Sequence, residues 1–495
     1  MHQKKLKKVC PSLQNPWKRP TFAVMDERFW CFVREHRDED VRGLMLRAER
    51  YPEVDVRAAA VQVEGWQTAR GKLPLWASTE GILFPEHLSM EQCSSQRAAE
   101  YKGSLAVRLA EGLQAIENES DPICGEPRRT AISHLNNAVR HSSLFTLAFG
   151  DTAPARQSQI NLSLRSLTRS VHSSLFRVAD LTGGFGVDAA MIVRALQAAG
   201  WGVALTWVER QSALCALAEH NLPLLGVEQA EIRCGEAEEA LAQLPPQHLI
   251  YIDPSRRDAH GGRVSALCDC QPDVSRLLPM LMEKSEQVLV KLSPMLDLTE
   301  ALRSLPAVEV HVVSVEGECK ELLLLLKGKS EDTSEPPIHC VNIGASQTSD
   351  FRFTRSEEQS AACTYAEGAG AYLFEPDASV MKAAAFRTVA QRFGLSPLHP
   401  NSHLYTAPAK VAAFPGRMFR VLGTCSVGRR PLQALLRGLP DGSPSLHLAV
   451  RNFPSSADAL RKQLGVREGG SRYLFATTLM SGHRCLVLCE RVADD

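Results

Sequence analysis

Val178-Ala179-Asp180-Leu181-Thr182-Gly183-Gly184-Phe185-Gly186-Val187-Asp188 is the stretch from which the fold can be read. The apolar run that leads into it, from Leu175 to Ala179, predicts a buried strand. An acid ends that strand and a glycine-rich turn follows. Helix-period sequence then runs from Val187 to Ala199. Strand, glycine turn and helix bring backbone N–H groups close to a charged small molecule. A second apolar strand, Val203 to Val208, ends in Glu209, where a carboxylate can accept two hydrogen bonds from a ribose diol. Gly184-Phe185-Gly186-Val187-Asp188-Ala189 also fits a loose dinucleotide G-x-G-x-x-A pattern. Asp180 argues against a dinucleotide, because a carboxylate at the strand tip repels a pyrophosphate packed beside it. It suits a ligand with a cationic amino group and no phosphate, such as S-adenosylmethionine.

Downstream the alternation continues. Strands are predicted near 175–179, 203–208, 229–233, 248–252, 287–291, 309–315 and 321–327. Helices are predicted at 187–199, 212–224, 236–243, 272–283 and 298–304. This is the pattern of an α/β, doubly wound, Rossmann-like sheet of seven strands. The last two strands flank only the polar stretch Glu316 to Glu321, which predicts a terminal antiparallel hairpin. A sheet ending that way has the methyltransferase layout, whereas dinucleotide folds end in parallel strands.

The flanks divide by composition. Residues 1–20 form a basic tail, with six basic side chains and no acid. Residues 21–111 read as a helical region, with apolar positions at helical spacing from Arg34 to Tyr51 and from Val54 to Ala69. Ser89 and Gln92 make a capping box that opens a helix through Tyr101 and Lys102. The other reading of that polar stretch is a lid over a ligand. Residues 112–174 are rich in Ser, Asn, Arg and Thr and read as a partly ordered insertion before the 175–328 sheet domain. Residues 329–337 are a linker. Two β-α-β units then suggest small α+β modules, ferredoxin-like over 338–410 and a second domain over 411–495.

A chain of 495 residues is too long for one core. Its 56 basic and 56 acidic side chains balance, but residues 401–495 carry +7, which with the +6 tail leaves −13 in the middle. No run approaches the ~20 apolar residues of a membrane span. The basic N-terminus has no apolar segment behind it, so a cytoplasmic protein is expected. The 14 cysteines include no C-x-x-C pair, and Cys268 and Cys270 are too close for ordinary zinc spacing. Reduced, buried thiols and no metal are the expectation.

Several stretches resemble a known family. Asp180 to Asp188, Asp253-Pro254-Ser255-Arg256-Arg257-Asp258, Lys291-Leu292-Ser293-Pro294 and Gly317 to Leu322 resemble class I S-adenosylmethionine-dependent methyltransferases with a THUMP-like C-terminal domain. Tyr372 to Pro376, His399 to Tyr405, Arg451 to Pro454 and Tyr473 to Thr478 are similar to the ferredoxin-like and THUMP-like parts of that family. The resemblance implies the fold and S-adenosylmethionine as cofactor, and it implies an RNA substrate by analogy with THUMP-bearing tRNA enzymes. Asp180, Gly183, Gly184, Gly186 and Glu209 would then hold the cofactor, with Glu236 near the adenine amino group. Asp253 would lie near the sulfonium and orient the acceptor or serve as a base. Amino-methyltransferases follow this acid with Pro-Pro and an aromatic. Here Ser255 and Arg256 stand in their place, so Arg256 and Arg257 become candidates to hold phosphate or stack on a base. Lys291 is expected at the same cleft edge. Arg451, Phe453 and Arg472 are the expected RNA contacts of the last domain. A protein that binds RNA on this fold without catalysis is the alternative, and a nicotinamide enzyme is a third.

Overall fold

The structure is a computed structural model that describes residues 26–120, 175–256, 267–328, 335–345, 347–438 and 445–492. The basic tail 1–20, Arg257 and most of the 112–174 insertion lie outside the described residues. Two compact units divide the chain between His248 and Leu249.

The first unit opens with helices α1 (Glu27–His36), α2 (Val41–Leu46), α3 (Val56–Lys72), α4 (Pro74–Ser78), α5 (His87–Gln92) and α6 (Gln96–Ser120). Asp26, Asp40 and Asp55 cap the first three, each accepting a backbone N–H of the first turn. The expected capping box is not there. Ser89 is the third residue of α5, the chain turns extended at Cys93, and a separate helix begins at Gln96. That helix also runs on through residues 112–120, which were expected to belong to the insertion.

Strands β1 (Phe176–Asp180), β2 (Val203–Glu209) and β3 (Ala230–Cys234) follow, all parallel, with β2 between the other two. Helices α7 (Val187–Ala198), α8 (Ser212–Leu224) and α9 (Ala237–Gln243) connect them. α6 packs along α7, and Gly103 makes the close approach possible. A Cβ there would lie 2.8 Å from the Met191 carbonyl oxygen.

The second unit contains β4 (Leu249–Ile252), the short pair β5 (Ser255–Arg256) and β6 (Cys270–Gln271), and α10 (Val274–Lys284). β7 (Gln287–Leu292), α11 (Leu298–Ser304), β8 (Ala307–Val315) and β9 (Glu318–Lys327) come next. β8 and β9 are the expected antiparallel hairpin, and β9 inserts between β8 and β7. The sheet is larger than the seven strands expected. β10 (Ile338–Ile343) pairs parallel with β8, and β11 (Thr348–Phe353) closes the edge, giving the order β11-β10-β8-β9-β7-β4 in this unit. Residues 338–353, expected in the ferredoxin-like domain, are therefore hydrogen-bonded to the large sheet. Ile338, Cys340, Val341, Phe351 and Phe353 are buried there.

α12 (Arg355–Ser360) leads to β12 (Tyr372–Pro376), α13 (Ala378–Ala383), α14 (Phe386–Phe393), β13 (Ser396–Pro397) and β14 (Tyr405–Ala407). β15 (Gly416–Ser426), α15 (Arg429–Arg437), β16 (His447–Arg451), α16 (Ala457–Leu464), β17 (Arg472–Thr478) and β18 (Arg484–Arg491) complete the chain. These strands form one sheet in the order β13-β14-β12-β15-β18-β17-β16. The two expected small domains thus share a sheet, joined where β12 pairs with β15 over five register positions.

Cys31, Cys215, Cys234, Cys319, Cys340, Cys363, Cys425, Cys485 and Cys489 form no disulfide. Burial pushes the Cys319 and Cys485 thiols up to about 11, which keeps them in the inert thiol form. Among the described residues no helix is long and apolar enough to cross a membrane.

Candidate functional site

In the first unit the turn after β1 is built by its own side chains. Asp180 is almost fully buried, and its Oδ1 accepts the Thr182 N–H at 2.9 Å, which starts the turn. The Gly183 N–H donates to the Val208 carbonyl at 2.8 Å and fastens the turn to β2. Gly184 (φ +55°) and Gly186 (φ +79°) are left-handed, a conformation that excludes most side chains. Gly186 immediately precedes α7.

Gly183 has a different reason to be glycine. A Cβ there would lie 2.0 Å from Cε2 of the fully buried Trp207. Close packing against the indole therefore requires glycine at this position. Gly183→Ala is expected to cost about 1–3 kcal/mol or more of stability, the range of core overpacking, because the indole has no space to move into. Thermal melting measures it, and an unchanged melting temperature would contradict the packing.

Glu209 crosses from β2 to the turn. Its Oε2 accepts the Gly184 N–H at 3.0 Å and its Oε1 accepts the Gln211 N–H at 2.9 Å. The two bonds fix the plane of the carboxylate, and each oxygen keeps acceptor capacity for a further donor. Beside Gly184 the space is open, since a Cβ there would meet nothing nearer than the Thr182 carbonyl at 3.8 Å. Glu236 stands exposed just before α9, making no side-chain cap bond.

The helical region grips this turn, which the sequence reading did not anticipate. Phe185, between the two left-handed glycines, packs against Trp76 and Phe84, with ring centroids 6.4 and 6.3 Å away. Asn221 of α8 bonds both backbone groups of Leu83, accepting at 2.9 Å and donating at 2.8 Å. Lys102 is wholly inaccessible to solvent, and its Nζ lies 3.0 Å from Oδ1 of Asp188 in the first turn of α7. Ser94 donates to the other oxygen of Asp188 at 2.8 Å and receives a hydrogen bond from Lys102 at 3.2 Å. Residues 88–102, read as either cap or lid, thus anchor the helix that carries the turn. A signal was present: Lys102 falls on the apolar stripe of α6 formed by Ala98, Ala99, Leu105, Ala106 and Leu109.

In the second unit, Asp253 and Lys291 come together as expected. β4 and β7 are parallel with Ile252 opposite Val290, so the next register position places Asp253 beside Lys291 at the strands' carboxyl ends. Lys291 Nζ donates to Asp253 Oδ2 at 2.5 Å, with the lysine mostly buried and the acid about one third exposed. Ser255 and Arg256 leave the loop as β5 and pair with β6, and the exposed Ser255 donates its hydroxyl to the Gln271 carbonyl at 3.3 Å. Arg256 is therefore placed as backbone of a short ladder.

The expected RNA contacts of the last domain are spent internally. Arg451 Nε donates to Glu375 Oε1 at 2.9 Å, and Arg417 pairs with the other oxygen of the same buried carboxylate. Arg472 is nearly buried and lies 3.4 Å from Glu490. Phe453 packs on the core formed by Leu448, Leu460 and Leu474. In the last domain Arg429, Arg430, Arg437, Lys462, Arg467 and Arg484 are exposed basic side chains.

Comparison with known proteins finds similar domains and structures. Residues 372–415 match the family described as a ferredoxin-like domain, and residues 416–491 match the family described as THUMP domain-like. The crystal structure of a putative methyltransferase from Porphyromonas gingivalis W83 superposes with a TM-score of 0.69, at 29% identity, covering 94% of this chain and 98% of that one. This chain has the class I methyltransferase fold, followed by ferredoxin-like and THUMP-like domains. Two uncharacterized S-adenosylmethionine-dependent methyltransferases, from two strains of Mycobacterium tuberculosis, are 28% identical over 259 residues. Those matches span 52% of this chain and 66% of the relatives' length.

Proposed function

We propose that the protein transfers a methyl group from S-adenosylmethionine to RNA. The observation that carries the cofactor is the pair of carboxylates at the first turn, Asp180 and Glu209, with open space beside a left-handed Gly184. Those two acceptor groups fit a ligand with a cationic amino group and a ribose diol. The names of the relatives support the same cofactor. When bound, S-adenosylmethionine supplies a methyl group made electrophilic by its sulfonium. Asp180 and the turn would hold the amino-acid end, and Glu209 the ribose hydroxyls. Glu236, exposed before α9, is the proposed contact for the adenine amino group. Asp253, held by Lys291, would accept a hydrogen from the attacking group and so aim its lone pair. Arg256 and Arg257 keep their proposed role beside the acceptor.

RNA as the acceptor rests on the THUMP-like domain and on its exposed arginines. Arg429, Arg430, Arg437, Lys462, Arg467 and Arg484 replace Arg451, Phe453 and Arg472 as the proposed phosphate contacts. Removal of 411–495 cannot test this, because β15 would be torn from β12.

The experiment is calorimetry with S-adenosylmethionine followed by transfer of labelled methyl to total cellular RNA. Glu209→Ala should weaken cofactor binding by about 1–3 kcal/mol, the scale of a lost hydrogen bond to a charged group. Equal affinity in wild type and variant would remove the pocket assignment. Cofactor binding without label in RNA would favour the second reading, an RNA binder without catalysis, for which Ser255 and Arg256 in place of Pro and an aromatic are the motivating observation.

A further inference from the structure

We propose that Glu309, His311 and His339 form a binding site for a zinc-class divalent cation, a function separate from methyl transfer. The register of β8 and β10 puts His311 directly opposite His339. Glu309, two residues before His311 on the same strand, belongs to the same face. The two imidazole rings stack with centroids 4.7 Å apart at 22°. Both Nε2 atoms converge on one oxygen, with His311 at 3.0 Å and His339 at 3.3 Å from Glu309 Oε1. One ligand atom from each residue falls within a 4.8 Å cluster. Tetrahedral zinc with bonds of about 2.0–2.1 Å has ligand atoms about 3.3 Å apart. Two edges of the cluster are already near that length.

The outer contact has the form a metal site needs. His339 Nδ1 lies 2.8 Å from Asp350 Oδ2 on β11. A carboxylate there holds the Nδ1 proton and leaves Nε2 to act as ligand. His311 is only 2% exposed, so the cluster is shielded from bulk water. A single divalent cation satisfies all three ligands, and Glu309 and Asp350 balance its charge. Two imidazoles and one carboxylate suit zinc and leave a fourth position for water. The cation would clasp β10, the first strand of the sheet extension, onto β8. The spacing of these residues, 28 between the two histidines, hid the cluster from a reading of local motifs.

The test uses full-length protein stripped with a chelator and titrated with Zn²⁺ by calorimetry, with melting curves in parallel. One Zn²⁺ per chain and a raised melting temperature are expected. His339→Gln should raise Kd at least about 100-fold and abolish the melting shift. Asp350→Ala, at an exposed position that is not itself a ligand, should raise Kd about 10–100-fold. No uptake by the wild type, or equal uptake by both variants, overturns the site.

Discussion

Replacing Lys102 with methionine lowers the free energy of unfolding by about 3–5 kcal/mol, the loss that follows when one partner of a buried ion pair is removed. Asp188 would be left almost buried without the ammonium that balances its charge. Methionine nearly matches the aliphatic stem, so lost packing contributes little. Denaturant unfolding measures the effect. The double variant Lys102→Met, Asp188→Leu should recover most of it, because the stranded charge is then gone. A single variant that loses less than about 1 kcal/mol would show that the pair is not desolvated as its burial implies. The same variant should weaken S-adenosylmethionine, since Asp188 lies two residues past Gly186 and fixes where α7 begins. A stability effect with unaltered cofactor affinity would separate the anchor from the turn.

Asp253→Ala is expected to reduce methyl transfer by at least about 100-fold while leaving cofactor affinity within about tenfold. Its partner Lys291 is mostly buried, so part of any loss could come from a displaced lysine. Asp253→Asn resolves this. The amide keeps an oxygen that can accept from an amine and from Lys291. If Asp253 only orients the acceptor, the asparagine variant retains most of the rate. If Asp253 takes a proton, the asparagine variant falls with the alanine variant. Turnover that survives in Asp253→Ala would make the ion pair purely structural.

The parts of the fold that were legible in sequence are those set by neighbours in the chain. The turn at 180–186 needs an acid, two left-handed glycines and a strand on one side, all within a few residues. The β8–β9 hairpin follows from two apolar runs around a polar turn. Ser89 misled because a capping pattern is cheap by chance, and the helix it was assigned to begins beyond it. β10 and β11 were misassigned because strand pairing is decided by register, and a linker composition at 329–337 says nothing about which edge the next strand joins. Arg451 and Arg472 misled for a similar reason. An arginine in a basic segment looks available until its acid is found, and for Arg451 that acid is Glu375, 76 residues earlier. Phe453 is partly buried and packs against the core of the last domain. The positions of Asp180 and Glu209 at the ends of β1 and β2 were legible because strand ends mark where an α/β sheet exposes its chemistry.

The seven-stranded sheet that runs from β13 to β16 turns two sequence families into one ruler. β12 carries the ferredoxin-like strand and β15 the first THUMP-like strand, and they share a ladder with no hinge. Arg417 and Arg451 lock the same junction through Glu375. On the proposed reading, a strand bound by Arg429, Arg430 and Arg437 of α15 and Lys462 of α16 would be held at a fixed distance from β12, measured from the grip point rather than searched along its length.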